Sequence, residues 1–278
     1  MSSVSIITTK HDRFRGYEFA PGSTVIDPWR YMPDGRDWKV RRIGENKPAL
    51  ISILVPTRGR PEMFKRMYDS ICATVTYPRS VEVIAWLDED DLSQWDYASI
   101  ELGDVDGEFI VGERRLLSEC WNECYKESNG EIVMHCGDDL TFNTKGWDKR
   151  VRDEFDKYSD RIALVFGDDL STNFPDMATH GFLHRRWVET VGYFLPPLFS
   201  SDWNDVWISE VAQKLGRLVP IADVVIEHHH YTFGKAERDQ THAEREERGA
   251  RDDVVSLFKQ TASKRKADAA KLKKVMAA

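Results

Sequence analysis

The chain has 278 residues with 41% hydrophobic and 11% aromatic content, which is enough to bury a substantial core and too much for a disordered chain. Its formal net charge of -8 excludes a protein that coats nucleic acid through its whole surface, because phosphate contacts need clustered Lys and Arg. Cys72, Cys120, Cys124 and Cys136 form no CxxC pair and no zinc spacing, no apolar run is long enough to span a bilayer, and no signal-like N-terminal segment is visible, so a reduced, cytoplasmic protein without membrane insertion is expected.

Residues 1–47 carry Pro21, Gly22, Pro28, Pro33 and Gly35, which break any long period and predict an irregular N-terminal arm. Regular alternation begins after it. "ALISILVP" (49–56) is an apolar run of strand length, "PEMFKRMYDSICAT" (61–74) opens with Pro at a first helical turn, and "VEVIAWL" (81–87) is a second strand, a β-α-β unit. "EFIV" (108–111) is a short third strand. In "RRLLSECWNECYKES", Leu116, Leu117, Cys120, Trp121 and Cys124 fall on one helix face, and Asn129-Gly130 stops the helix. The strand "EIVMHC", a helix over "GWDKRVRDEFDKYSD" and the strand "RIALVFG" extend the pattern of an open, mostly parallel α/β sheet to Gly167.

The second half is less regular. It predicts a strand at "HGFLHR", a helix over "DVWISEVAQKLG", an apolar strand "LVPIADVVIE" running into His228-His229-His230, a polar loop, and a C-terminal helix from near Asp252. The final "TASKRKADAAKLKKVMAA" holds six basic residues and one acidic one, either a solvated helix end or a docking site for an anionic partner. The expected organisation is an arm over 1–47, a main domain over 48–250 and a basic helix over 251–278.

Ligands of such sheets bind beyond the carboxyl ends of the strands. Thr57-Arg58-Gly59-Arg60, Asp88 to Asp91, Gly137-Asp138-Asp139 and Gly167-Asp168-Asp169 all fall there, and GDDL occurs twice. Magnesium and manganese bind through one or two carboxylates plus substrate phosphates, so an acidic pair at a strand end is a candidate diphosphate-metal site, but Gly-Asp is also common in plain turns. The nine Trp residues are core bulk or, beside a cleft, stacking platforms. Alternation along a strand puts His228 and His230 on one face and His229 on the other.

"ISILVPTRGRPEMFKRMYDSI" resembles the opening strand, loop and helix of nucleotide-sugar-dependent glycosyltransferases of the GT-A fold, family 2 type. The resemblance continues through "AWLDEDD" and "NECYKESNGEIVMHCGDD", where Asn122 stands eight residues before Gly130-Glu131 and the strand runs into the family's Asp-x-Asp position. Gly137 occupies the first Asp of that motif and Asp139 the last. "GDDLTFNTKGWD" is similar to phage and actinobacterial members. "NDVWISEVAQKLGR" resembles the helix whose leading acid, here Asp205, lies eleven residues before a glycine, here Gly216, and "VVIEHHHYTFGKAERDQTH" resembles the late segment that completes the metal shell and closes over the diphosphate. Coverage is roughly residues 49–245.

The resemblance implies a GT-A type, Rossmann-like sheet flanked by helices, with an irregular acceptor-side half and a C-terminal helix. It implies transfer of a sugar from a nucleoside diphosphate sugar, a UDP-sugar, to an acceptor hydroxyl with inversion, dependent on Mn2+ or Mg2+. Pro56, Thr57, Arg58, Arg60, Asp88, Arg115, Asn122, Asp138 and Lys235 would bind the nucleotide sugar, and Asp139, His228 and His230 the metal. Asp205 would be the catalytic base, with Asp202 as the alternative. Arg58 and Arg60 could instead be solvated, Arg114 and Arg115 could pair with the Asp88 to Asp91 cluster, and Asp205 could simply favour a helix N-terminus. His180 is a contact residue or a structural histidine. Phage-like relatives make 5-hydroxymethylated DNA a candidate acceptor, with the protein then acting in a host cytoplasm, and Arg30, Arg36, Arg41 and Arg42 of the arm and the basic C-terminus as contacts. A protein or glycan acceptor and a sugar nucleotidyltransferase are the alternatives, although "PTRGRP" has only one glycine where the latter carry a glycine-rich loop.

Overall fold

A computed structural model describes residues 4–6, 17–27, 39–42 and 50–277. The chain divides into two compact units, Met1–Lys47 and Pro48–Ala278. In the first, β1 (Val4–Ile6), β2 (Thr24–Asp27) and β3 (Lys39–Arg42) pair in parallel in that order, so the arm expected to be irregular contains a small sheet. Strands of three or four residues are too short to display an alternating pattern, and the surrounding Pro and Gly mask them. Arg41 and Arg42 lie in β3, whereas Arg30 and Arg36 lie outside the described residues.

The second unit runs β4 (Ile51–Thr57), α1 (Pro61–Thr74), β5 (Val81–Asp88), α2 (Gln94–Ala98), β6 (Asp106–Gly112), α3 (Leu117–Glu127), β7 (Ile132–His135), β8 (Leu140–Phe142), α4 (Trp147–Asp156), β9 (Leu164–Asp168), β10 (Gly181–His184), α5 (Arg185–Val191), α6 (Asn204–Leu215), β11 (Leu218–His228), α7 (Gln240–Arg251), α8 (Val254–Gln260) and α9 (Ala262–Met276). Its strands form one sheet in the order β6-β5-β4-β7-β10-β9-β11-β8. β10 runs antiparallel to β7 and β9, and β8 antiparallel to β11, while the other pairs are parallel. The mostly parallel sheet expected from the sequence is therefore present, with two reversed strands.

Alternation along β4 divides the core. Ile51, Ile53 and Val55 pack with Phe64, Met67 and Ile71 of α1 and Trp147, Val151 and Phe155 of α4, whereas Leu54 faces Cys120, Trp121 and Cys124 of α3 and, beyond them, Trp187 of α5 and Trp207 of α6. Trp147, Trp187 and Trp207 are thus core bulk, and all four cysteines are unpaired thiols. No helix among the described residues is long and apolar enough to cross a membrane.

Two segments depart from the sequence expectation. The polar loop before Asp252 contains α7, whose only buried residue is His242, so it has no apolar stripe to signal a helix. The basic C-terminus is not a free tail: α9 packs against α5 and α6. Arg265 is its anchor, bonding Glu210 at 2.7 Å and lying 3.6 Å from the Phe258 ring centroid while its side chain is 4% exposed. Arg265→Ala is expected to lower stability by about 2 kcal/mol in urea denaturation, from lost charge-assisted bonding and packing, while Lys266→Ala on the exposed face stays within about 0.5 kcal/mol.

Candidate active site

The carboxyl ends of β4, β5, β6, β7 and β11 open on one edge of the sheet, where a cavity of about 230 Å³ is lined by Pro56, Thr57, Arg58, Arg60, Asp88 and Arg115, by Asp138 and Asp139, by Asp202 and Asp205, and by His228 and His230. Because β10 runs the other way, its beginning meets this edge, with Gly181 paired to His135, and His180 joins the lining. Site residues far apart in sequence converge for this topological reason.

The register of β8 on β11, Leu140 opposite His228, fixes the acidic pair. The His229 amide donates to the Asp139 carbonyl at 2.9 Å, and His228 Nε2 lies 3.2 Å from Asp139 Oδ2. Burial works against charge on Asp139, but the His228 hydrogen bond and the nearby His180 and Arg60 hold its carboxyl well below the ordinary range. Asp138 meets different surroundings. Thr57 Oγ1 donates to its Oδ2 at 2.8 Å and Arg60 Nη1 to its Oδ1 at 3.2 Å. Burial nevertheless pushes Asp138 up to about 6, with Arg60 opposing and the Asp139 charge adding. Asp139, His180 and His228 each offer a ligand atom within 4.8 Å of the others, a carboxylate–imidazole group of the kind that holds a divalent cation.

On the β4–β6 side, Arg58 bonds Asp88 at 3.1 Å and also Asp90, and Trp86 Nε1 donates to Asp88 Oδ1 at 3.0 Å. Gly112 allows this arrangement, since a Cβ there would sit 2.5 Å from the Trp86 ring. Arg115 lies 5.6 Å from that ring's centroid. The cavity thus has a shelf with one aromatic edge, a carboxylate and guanidinium groups. Helix α7 forms the facing wall with Thr241, His242, Arg245 and Arg248, and its N-cap Asp239 holds Arg60 through two bonds of 2.7 Å. Glu244 pairs with Arg114.

Asp205 enters at the first turn of α6, after Trp203 adopts φ 78 in the left-handed region and packs on Phe258. Burial pushes its carboxyl up to about 6, with the bond from its neighbour's amide, Val206 N, opposing and Asp202 adding. Asp202 is half exposed and lies 3.5 Å from Arg245. Of the two acids, Asp205 has the environment of a proton acceptor working near neutrality.

Three expectations from the sequence are not met at the cavity. Asn122 spends its side chain on the backbone: Nδ2 donates to Ser118 O at 2.6 Å and Leu195 O at 2.8 Å, and Oδ1 accepts from Phe194 N at 2.9 Å. It staples α3 to the segment before α6. Lys235 pairs with Glu227 at 3.0 Å, away from the lining. His230 reaches the cavity, but its ring nitrogens face Thr232 at 2.7 Å and Arg245 at 3.3 Å rather than the Asp139 group. His229 turns away to Thr141 at 3.0 Å, as alternation requires. In the second GDDL, Asp168 and Asp169 accept from Leu170 N and Ser171 N at 2.8 and 3.0 Å, with Leu170 at φ 57: a turn.

Sequence reasoning missed Trp86 and the α7 residues Arg245 and Arg248 as lining groups. For Trp86 the signal was available, two residues before Asp88 on the same strand face; for α7 none was. Asn122→Ala is expected to cost about 1–3 kcal/mol in chemical denaturation, because it leaves buried carbonyl and amide groups unpaired, while the cavity's ion pairs stay intact.

No family model matches the chain, and no curated protein matches it. Solved structures do. Staphylococcus aureus TarS 1–349 in complex with UDP superposes with a TM-score of 0.53 at 13% identity, covering 64% of this chain and 59% of that one. Its complex with UDP-GlcNAc gives 0.50 at 12% identity, covering 64% and 57%. The mannosyltransferase PcManGT from Pyrobaculum calidifontis, in complex with GDP-Man and Mn2+, gives 0.48 at 15% identity, covering 66% and 57%. The chain spans less than two thirds of the length of these structures. The TarS likeness establishes the fold: a mixed α/β, mostly parallel sheet flanked by helices, of the GT-A type.

Proposed function

We propose that the protein is a divalent-metal-dependent glycosyltransferase that moves a sugar from a nucleoside diphosphate sugar to an acceptor hydroxyl. The observation that carries the proposal is the convergence on one cavity of the Asp139–His228 pair, the Trp86–Asp88 shelf and Asp205 with its raised pKa. The donor set fits a divalent cation, since Asp139 is held ionised and Nδ1 of His228 is buried with no hydrogen-bond partner among the described residues. Asp139 and His228 would hold the cation, which when bound supplies positive charge against the diphosphate leaving group.

The chain's own residues then have distinct tasks. Asp88, Arg58 and Trp86 orient the nucleoside on the shelf. Arg60 and Thr57 hold Asp138 as an acceptor for sugar or ribose hydroxyls. The α7 wall excludes water from the reacting centre and offers Arg245 and Arg248 to anionic groups. Asp205, ionised above about pH 6, accepts the proton of the attacking hydroxyl at its carboxylate.

The finer form of the proposal is UDP as the nucleotide, inversion at the anomeric carbon, and a 5-hydroxymethylated DNA base as acceptor. Support for UDP comes from the UDP and UDP-GlcNAc bound in the TarS structures. Support for an anionic acceptor is the outer face of α9, where Lys264, Lys266, Lys273 and Lys274 are exposed. Incubation with Mn2+ and a panel of UDP-sugars is expected to release UDP and, with hydroxymethylcytosine DNA, to add a hexose detectable by mass. Addition to a glycan array or a protein instead would replace the DNA version, and pyrophosphate release from a nucleoside triphosphate plus sugar phosphate would replace transfer altogether.

Two variants test the assignments. Asp139→Ala is expected to reduce turnover by about 100-fold or more, measured as UDP release at saturating Mn2+; unchanged turnover would remove the metal role. Asp205 works when deprotonated, so the rate is expected to rise through an inflection near pH 6 to a plateau. In Asp205→Asn that limb disappears along with about 10²–10⁴ of the rate, whereas a retained limb assigns it elsewhere.

A further inference from the structure

We propose that His180 is a third protein ligand of the metal, replacing the carboxylate that Gly137 lacks, and that the resulting set of two imidazoles and one carboxylate selects Mn2+, Co2+ or Zn2+ over Mg2+. The inference rests on the metal reading above and extends it to a residue outside the motif.

Gly137 and His180 are two halves of one arrangement. Gly137 stands where the sequence resemblance places the first Asp of the motif, and a Cβ there would lie 2.6 Å from Asp139 Oδ1 and 3.1 Å from His180 Nε2. The space that a side chain at 137 needs is taken by the Asp139 carboxylate and the His180 ring. His180 is set there by a clamp. His135 Nε2 lies 3.1 Å from Thr179 O, and its Nδ1 lies 3.3 Å from Gly181 N, so one imidazole grips the backbone on both sides of His180. The His180 ring lies over that of His135 at 5.9 Å and meets the His228 ring edge-on at 4.8 Å.

A structural histidine pairs a ring nitrogen that is buried. His180 does not: its Nδ1 is buried without a hydrogen-bond partner among the described residues, as is that of His228. The ligand atoms of His180, His228 and Asp139 all lie within 4.8 Å of one another. Imidazole suits transition metals, whereas Mg2+ prefers an all-oxygen octahedron that keeps several waters, so exchanging a carboxylate for a second imidazole changes which ion is held.

The test uses the full chain and Mn2+ alone. Pulsed EPR of the Mn2+-loaded protein is expected to resolve two coordinated imidazole nitrogens, falling to one in His180→Ala, with Mn2+ affinity weakened at least about tenfold. Mg2+ in about hundredfold excess is expected to leave the Mn2+ in place. If His180→Ala does not fold, the nitrogen count of the unaltered protein decides the matter, with His180→Gln as a second variant. A single nitrogen in the unaltered protein, or unchanged Mn2+ affinity in a folded variant, overturns the His180 ligand while leaving Asp139 and His228 as the metal site. Displacement by equimolar Mg2+ overturns the selectivity, and no Mn2+ binding at all overturns this inference together with the metal reading beneath it.

Discussion

Strand direction is the constraint on which the site depends. β8 and β10 run against the rest of the sheet, and each reversal delivers a group to the same edge. The β8–β11 pairing brings Asp139 to His228 across 89 residues of sequence, and the β10–β7 pairing brings His180 beside them. Both are backbone ladders. Asp139 and His180 are the residues immediately before β8 and β10, and His228 ends β11, so each ligand-type side chain is anchored at a strand terminus, which favours a preorganised electrostatic centre.

Neighbouring carboxylates illustrate how surroundings divide identical groups. Asp138 and Asp139 are adjacent and both buried, yet Asp138 is tied to Thr57 and Arg60 while Asp139 faces His228. Burial lifts the first to about 6 and the imidazoles hold the second low. Placing the repulsion on one member lets the other stay charged, so the pair divides into one acid held by Thr57 and Arg60 and one carboxylate left facing the histidines. The second GDDL has the same letters and neither of these partners. Its carboxylates close on their own following amides, and the chain turns there.

Much of this was legible in the sequence because it lies in local pattern. The apolar runs of β4, β5, β7 and β11 and the helix of α1 announce themselves, and the polar residues that end them, Thr57, Asp88, Asp139 and His228, follow from strand ends in a parallel sheet. What stayed hidden depends on tertiary context. His180 can be weighed properly only once β10 is known to be reversed. Asn122 sits at a motif position, but its amide is consumed by Ser118, Leu195 and Phe194, a bonding pattern that no spacing reveals. Helix α7 carries too little apolar surface to show a period, and its contribution is a set of ion pairs and arginines facing the cavity.

The proposed function requires nucleotide and metal to bind together in this one cavity. Calorimetric titration of UDP into the full chain, with Mn2+ and then with EDTA, tests it directly. The account predicts UDP affinity at least about tenfold higher with Mn2+, because a cation held by Asp139 and His228 would supply positive charge to the diphosphate. Equal affinity in both conditions, or no UDP binding in either, would contradict it.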